Sequence, residues 1–181
     1  AEQVRSRTMR RRFTPERFSV AGVLQAMNTI LHERHLEEYY CTLCYALFDF
    51  PRGSVTLSNS GLPYPIRCSN GSCRQIELPG VPLGSFPGIV YDQVTLELQA
   101  DDLFVFCTDG IFEALNPQGT EFGARRICEV VEKHQREPAR LIVDAIFEAV
   151  TSFRDSAAQL DDMTAVAVKI AKGAGGAKTK A

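Results

Sequence analysis

The 181-residue sequence predicts an α+β domain with a mainly antiparallel sheet, on three observations. Short β-branched, alternating stretches come in pairs joined by turn residues. Two amphipathic helical stretches follow one another late in the chain. The strand–helix–strand alternation that builds parallel sheets is scarce.

The elements follow in order. Residues 1–12 carry Arg5, Arg7, Arg10, Arg11 and Arg12 and read as a solvated basic helix end, with a phosphate- or partner-binding patch as the alternative. Ser19 is placed to cap a helix in which Val20, Val23, Leu24, Met27, Ile30 and Leu31 share one face. His32 and His35 lie in its last turn, where a cation suits the helix dipole. The period then becomes strand-like. "CTLCYALFDF" and "SVTLSNS" flank the turn Pro51-Arg52-Gly53, which predicts a hairpin. The prolines of "GLPYPI" force a rigid turn, and Asn70-Gly71-Ser72 marks another between two short strands. "PGVPLG" reads as a loop, and "YDQVTLEL" alternates with Val94, Leu96 and Leu98 on one face.

After the turn at Ala100-Asp101-Asp102, the run Leu103 to Cys107 predicts a buried strand that stops on Thr108-Asp109-Gly110. "GARRICEVVEKH" and "EPARLIVDAIFEAVTSF" are helical by period, with Pro138 in the first turn of the second. "RDSAAQLDD" is a polar loop, "MTAVAVKI" a final strand, and the tail "AKGAGGAKTKA" reads as disordered.

Bulk properties narrow the function. A length of 181 residues suits one domain, and 45% hydrophobic with 23% charged residues is ordinary for a soluble globular chain. A net charge of −2 gives no general affinity for nucleic acid. No apolar run approaches the roughly 20 residues that span a bilayer. The opening "AEQVRSRTMRRRF" lacks the apolar stretch of a signal peptide, so a cytoplasmic protein is expected. The sequence opens with Ala within a basic, helix-like stretch and reads as part of something longer. Cys41 and Cys44, three apart on a strand, point to opposite faces and cannot share one zinc ion; they and the pair Cys68 and Cys73 read as structural thiols.

The chemistry is concentrated in two acidic corners. Asp109 stands just after one strand, and Asp161 and Asp162 just before another. If those strands are antiparallel neighbours, the corners meet at one sheet edge. Carboxylates so close need a cation or a shared proton, and Mg²⁺ or Mn²⁺ suits oxygen donors. Each corner alone reads equally as a solvated turn. A haloacid-dehalogenase-like arrangement would need a second Asp two residues after the first, and Ile111 occupies that place.

The motifs occur in a recognisable order: "VLQAMNTIL" with Asn28, the hairpin running into "SNSGLPYPI", "PLG" at 82–84, "TDGIFEALNPQGTEFG" and "DDMTAVAVKI". Over about residues 20–170 this ordered set resembles the metal-dependent type 2C protein serine/threonine phosphatases, in the bacterial branch typified by SpoIIE and RsbU. The resemblance implies a β-sandwich flanked by helices over 1–170, with 171–181 as a tail. It implies a centre of two ions, Mn²⁺ or Mg²⁺, whose activated water hydrolyses phosphoserine or phosphothreonine. Carried over by position, Asp109 and Asp161 are catalytic metal ligands and Asp162 supports them. Thr108 and Gly110 shape the turn, while Glu113 and Asn116 hold the helix start after it. The implied substrate is a phosphorylated STAS-type anti-sigma-factor antagonist. An attached sensor or receiver domain would supply control, with homodimerisation through the basic N-terminal helix.

Two departures matter. Gly61-Leu62 replaces the family's Gly-His, and the two family strands that bear a Gly-Asp-x-x-Asp-like motif are absent from the sequence. A catalytically impaired, protein-binding relative of the phosphatases is therefore the competing expectation. An unrelated scaffold with two chance acidic turns is the third.

Overall fold

The computed structural model describes residues 19–34 and 40–171; the basic stretch 1–12, His35 and the tail 172–181 lie outside the described residues. Helix α1 (Val20–Glu33) opens the described chain, and the Ser19 side chain caps it by accepting the Gly22 N–H. Then come β1 (Leu43–Asp49) and β2 (Ser54–Ser60), the expected hairpin, with Gly53 at φ 63° in its turn. β3 (Ile66–Ser69) and β4 (Ser72–Gln75) form a second hairpin around Asn70-Gly71. β5 (Val94–Glu97) adds to β2, and β6 (Leu103–Cys107) adds to β3. A four-residue helix α2 (Asp109–Phe112), then α3 (Gly123–His134) and α4 (Ala139–Arg154), lead to β7 (Ala165–Lys169), which pairs with β6. Pro138 stands one place before α4 rather than inside its first turn, and its carbonyl accepts the Ile142 N–H.

All these pairings are antiparallel, and the strands divide into two sheets, ordered β1-β2-β5 and β4-β3-β6-β7. Among the described residues three apolar cores stack between four layers. Ala21 and Leu24 of α1 pack with Leu83 and Tyr91. Val55, Leu57, Leu98 and Phe104 fill the space between the sheets. Leu103, Val105 and Cys107 meet Ile127, Val131, Ile142, Ile146 and Val150 of α3 and α4. β6 is thus covered on both faces, which is why its sequence is a continuous apolar run rather than an alternating one. The expected α+β sandwich with flanking helices is the architecture seen. No helix among the described residues is long and apolar enough to cross a membrane.

The expectation of separate thiols at Cys68 and Cys73 is corrected: the two are joined as a disulfide. The Asn70-Gly71 turn sets Ser69 opposite Ser72, and therefore Cys68 opposite Cys73. Cys41, Cys44, Cys107 and Cys128 are free.

Buried polar groups fix the loops. Asn28, 1% exposed, donates from Nδ2 to the Phe86 carbonyl (2.9 Å) and accepts the Gly84 N–H (2.8 Å). This ties α1 to the loop after Leu83. Asn28→Ala is expected to lower stability by about 1–3 kcal/mol, because a buried N–H and a carbonyl lose their partner. Urea unfolding checks this, and a loss below about 0.5 kcal/mol would contradict it.

Candidate metal and phosphate-chemistry site

Antiparallel pairing of Cys107 with Ala165 puts the exit of β6 and the entry of β7 at one sheet edge. Ladder bonding continues past the strands: the Thr108 N–H donates to the Thr164 carbonyl at 3.0 Å. The Thr108 hydroxyl then donates to the Asp162 carbonyl (3.1 Å) and accepts the Thr164 N–H (2.9 Å). Gly110 completes the approach. A Cβ there would collide with the Asp162 carbonyl oxygen and lie 3.2 Å from the Asp161 carbonyl carbon. The two acidic corners, more than fifty residues apart in sequence, are in backbone contact.

Each corner is held by its own turn. Asp109, half-buried at the start of α2, accepts the Gly110 N–H at 3.0 Å through Oδ1. Asp161 accepts the Asp162 N–H at 2.7 Å, and both Asp161 and Asp162 are exposed. Upstream, α4 stops at Asp155, whose φ of 47° breaks the helix. Arg154 turns back to the Ala157 carbonyl (2.9 Å), and the Gln159 amide donates to the Asp161 carbonyl (2.9 Å). Gln159 had no signal in the sequence beyond its place in a polar loop. Glu113 ends α2, its N–H donating to the Asp109 carbonyl at 2.7 Å. Asn116 shapes the following turn by accepting the Gln118 and Thr120 N–H groups. Neither holds the start of α3, which corrects the helix-start role.

Three acidic residues therefore stand on two loops in backbone contact, and among the described residues no ion pair within 4.0 Å involves any of them. Carboxylate oxygens are the donor type a hard divalent ion takes. The donor set is short of a complete centre: among the described residues no three His, Cys, Asp or Glu side chains group closely enough to hold a metal.

Cys107, two residues before Asp109, is no alternative nucleophile. Burial pushes its thiol up to about 12, so it stays protonated at neutral pH. Ile111 is fully buried and belongs to the core.

Beside the corner runs an apolar groove of about 390 Å³. Leu43, Tyr45 and Phe48 of β1 form one wall, and Val166 and Val168 of β7 the other. Thr108, Thr164 and Leu62 also line it. Among the described residues β1 and β7 are the outer strands of their sheets.

Known proteins share this frame. The family model described as Stage II sporulation protein E (SpoIIE) matches residues 1–171. The Stage II sporulation protein E of Priestia megaterium is 25% identical over 151 residues, covering 81% of this chain and 25% of its own length. Protein IcfG of Synechocystis is 25% identical over 130 residues, covering 71% of this chain and 20% of its own. The chain thus spans a quarter or less of these curated relatives. Among solved structures, the Mn-presoaked phosphatase domain of Bacillus subtilis SpoIIE superposes with a TM-score of 0.66 at 22% identity, covering 87% of this chain and 69% of that one. The RsbU and RsbW domains of a Mycobacterium tuberculosis protein give 0.67 at 22% identity, covering 86% and 43%. With the family model spanning nearly the whole sequence, the chain belongs to the SpoIIE family, and it shares the fold of the SpoIIE phosphatase domain.

Proposed function

We propose that this domain hydrolyses phosphoserine or phosphothreonine on a regulatory protein, with Asp109 and Asp161 as ligands of a divalent-ion centre and Asp162 supporting them. The observation that carries this reading is the backbone contact between the Asp109 turn and the Asp161-Asp162 loop. A bound Mn²⁺ or Mg²⁺ would supply an activated water and neutralise charge on the phosphoryl group. This chain's residues bring negative oxygens to one edge and hold them there. The substrate we propose is a phosphorylated STAS-type antagonist, controlled through an attached sensor or receiver domain. An RsbW domain accompanies the RsbU domain in the M. tuberculosis relative, which supports a regulatory partner of that kind.

One observation favours the competing reading of a catalytically impaired binding module. The described residues hold an incomplete ligand set, and the family's turn histidine is Leu62. The full-length protein decides between them. With a phosphoserine protein substrate, Mn²⁺ should restore turnover after chelation. Inertness at saturating Mn²⁺ would favour the binding module.

A further inference from the structure

We infer that the Cys68–Cys73 disulfide is a redox-responsive clip that sets how firmly β4 is seated against α3. It involves none of the residues of the acidic corner.

The bond joins directly opposite positions of the β3–β4 hairpin. The turn already fixes that register, because Asn70 and Gly71 both take positive φ, 52° and 88°, as a two-residue hairpin turn requires. A link between cysteines only five apart in sequence removes little further freedom from the unfolded chain. What it holds is the seat of β4. Cys68 is 2% exposed in the core with Ile127 and Val131 of α3, whereas Cys73 is only partly buried. The Cys73 N–H donates to the Glu132 carboxylate of α3 at 2.8 Å, and the Gln135 amide donates to the Gly71 carbonyl at 3.4 Å. Reduction replaces a bond of about 2 Å by van der Waals contact at roughly 3.5–4 Å. The packed core leaves Cys68 no room to give way, so the displacement falls on Cys73 and pulls at both α3 contacts.

The step is thiol–disulfide exchange with a dithiol reductant. One reductant thiolate attacks Sγ of Cys73, the less buried cysteine. The S–S bond breaks, and the Cys68 sulfur leaves with the electron pair and takes up a proton. The second reductant thiol then displaces Cys73 as a thiol, and the reductant ends as a disulfide, two electrons poorer. Cys128 of α3 packs against the same core. Burial, then Glu132 and Glu129, push its thiol up, so it stays protonated at neutral pH and does not exchange with the bridge.

The test follows the full-length protein before and after dithiothreitol, by iodoacetamide labelling and by amide hydrogen exchange at fixed pH. Before reduction Cys68 and Cys73 should not label, while Cys41, exposed and free, labels in both states. After reduction Cys73 should label in the folded protein. The amides of β4 and of the last two turns of α3 should then exchange on the order of 10-fold faster, a local opening that leaves α1 unchanged. The double variant Cys68→Ala, Cys73→Ala should exchange at the reduced rate with or without dithiothreitol. Cys73→Ser replaces it if the pair does not fold. Labelling of both cysteines before reduction overturns the inference, and so does a bridge that yields only on global unfolding. Reduction that leaves β4 and α3 exchange unchanged, or speeds every element equally, also overturns it, as does a double variant that responds to dithiothreitol like the wild type.

Discussion

Asp109→Asn is expected to lower Mn²⁺-dependent turnover by roughly 10²- to 10³-fold, the loss typical of removing one electrostatic group from a reacting centre. The substitution is nearly isosteric. Its side-chain oxygen can still accept the Gly110 N–H that Asp109 accepts at 3.0 Å, so the turn survives. What disappears is a charge. That charge has no ion-pair partner among the described residues, so its removal should leave the melting temperature unchanged or slightly higher. Lost turnover with retained stability separates a functional acid from a structural one. Steady-state kinetics against Mn²⁺ concentration, with a thermal melt alongside, gives both readings. Undiminished turnover would remove Asp109 from the centre.

The convergence of the corners was legible because it needed only two strands and their direction. Leu103 to Cys107 announced itself as five apolar residues, and Ala165 to Lys169 as a β-branched alternation. Antiparallel pairing of the two then fixes the geometry. The partition of the described residues' seven strands into sheets of three and four was not legible, because alternation reports which face is buried and not which strand lies beside it. The Cys68–Cys73 bridge was within reach of the sequence, since a two-residue Asn70-Gly71 turn dictates the register. Reading the cysteines by spacing alone lost it. The double bonding of Thr108 could not be read at all. A hydroxyl beside an acid in the sequence carries no mark of a carbonyl fifty-four residues onward.

The largest stability effect is expected at Phe104, because the sheets meet on it. The ring is fully buried between Val55, Leu57 and Leu98, with Phe48 edge-on at 5.6 Å and the Arg67 guanidinium 5.6 Å above its centre. Arg67 is itself fixed by Asp102, which is 1% exposed, through a 2.6 Å bond. Phe104→Ala should therefore cost about 3–5 kcal/mol, the range for emptying an aromatic site in a close-packed core. Phe50 is the matched control. It is 45% exposed and, among the described residues, stacks on Phe48 at 6.2 Å, so Phe50→Ala should cost under about 1 kcal/mol. Denaturant unfolding of the two variants measures the difference. Equal losses would show that the space between the sheets is not the stabilising core. In that case the edge where β6 and β7 deliver their acids would have to be held by α3 and α4 alone.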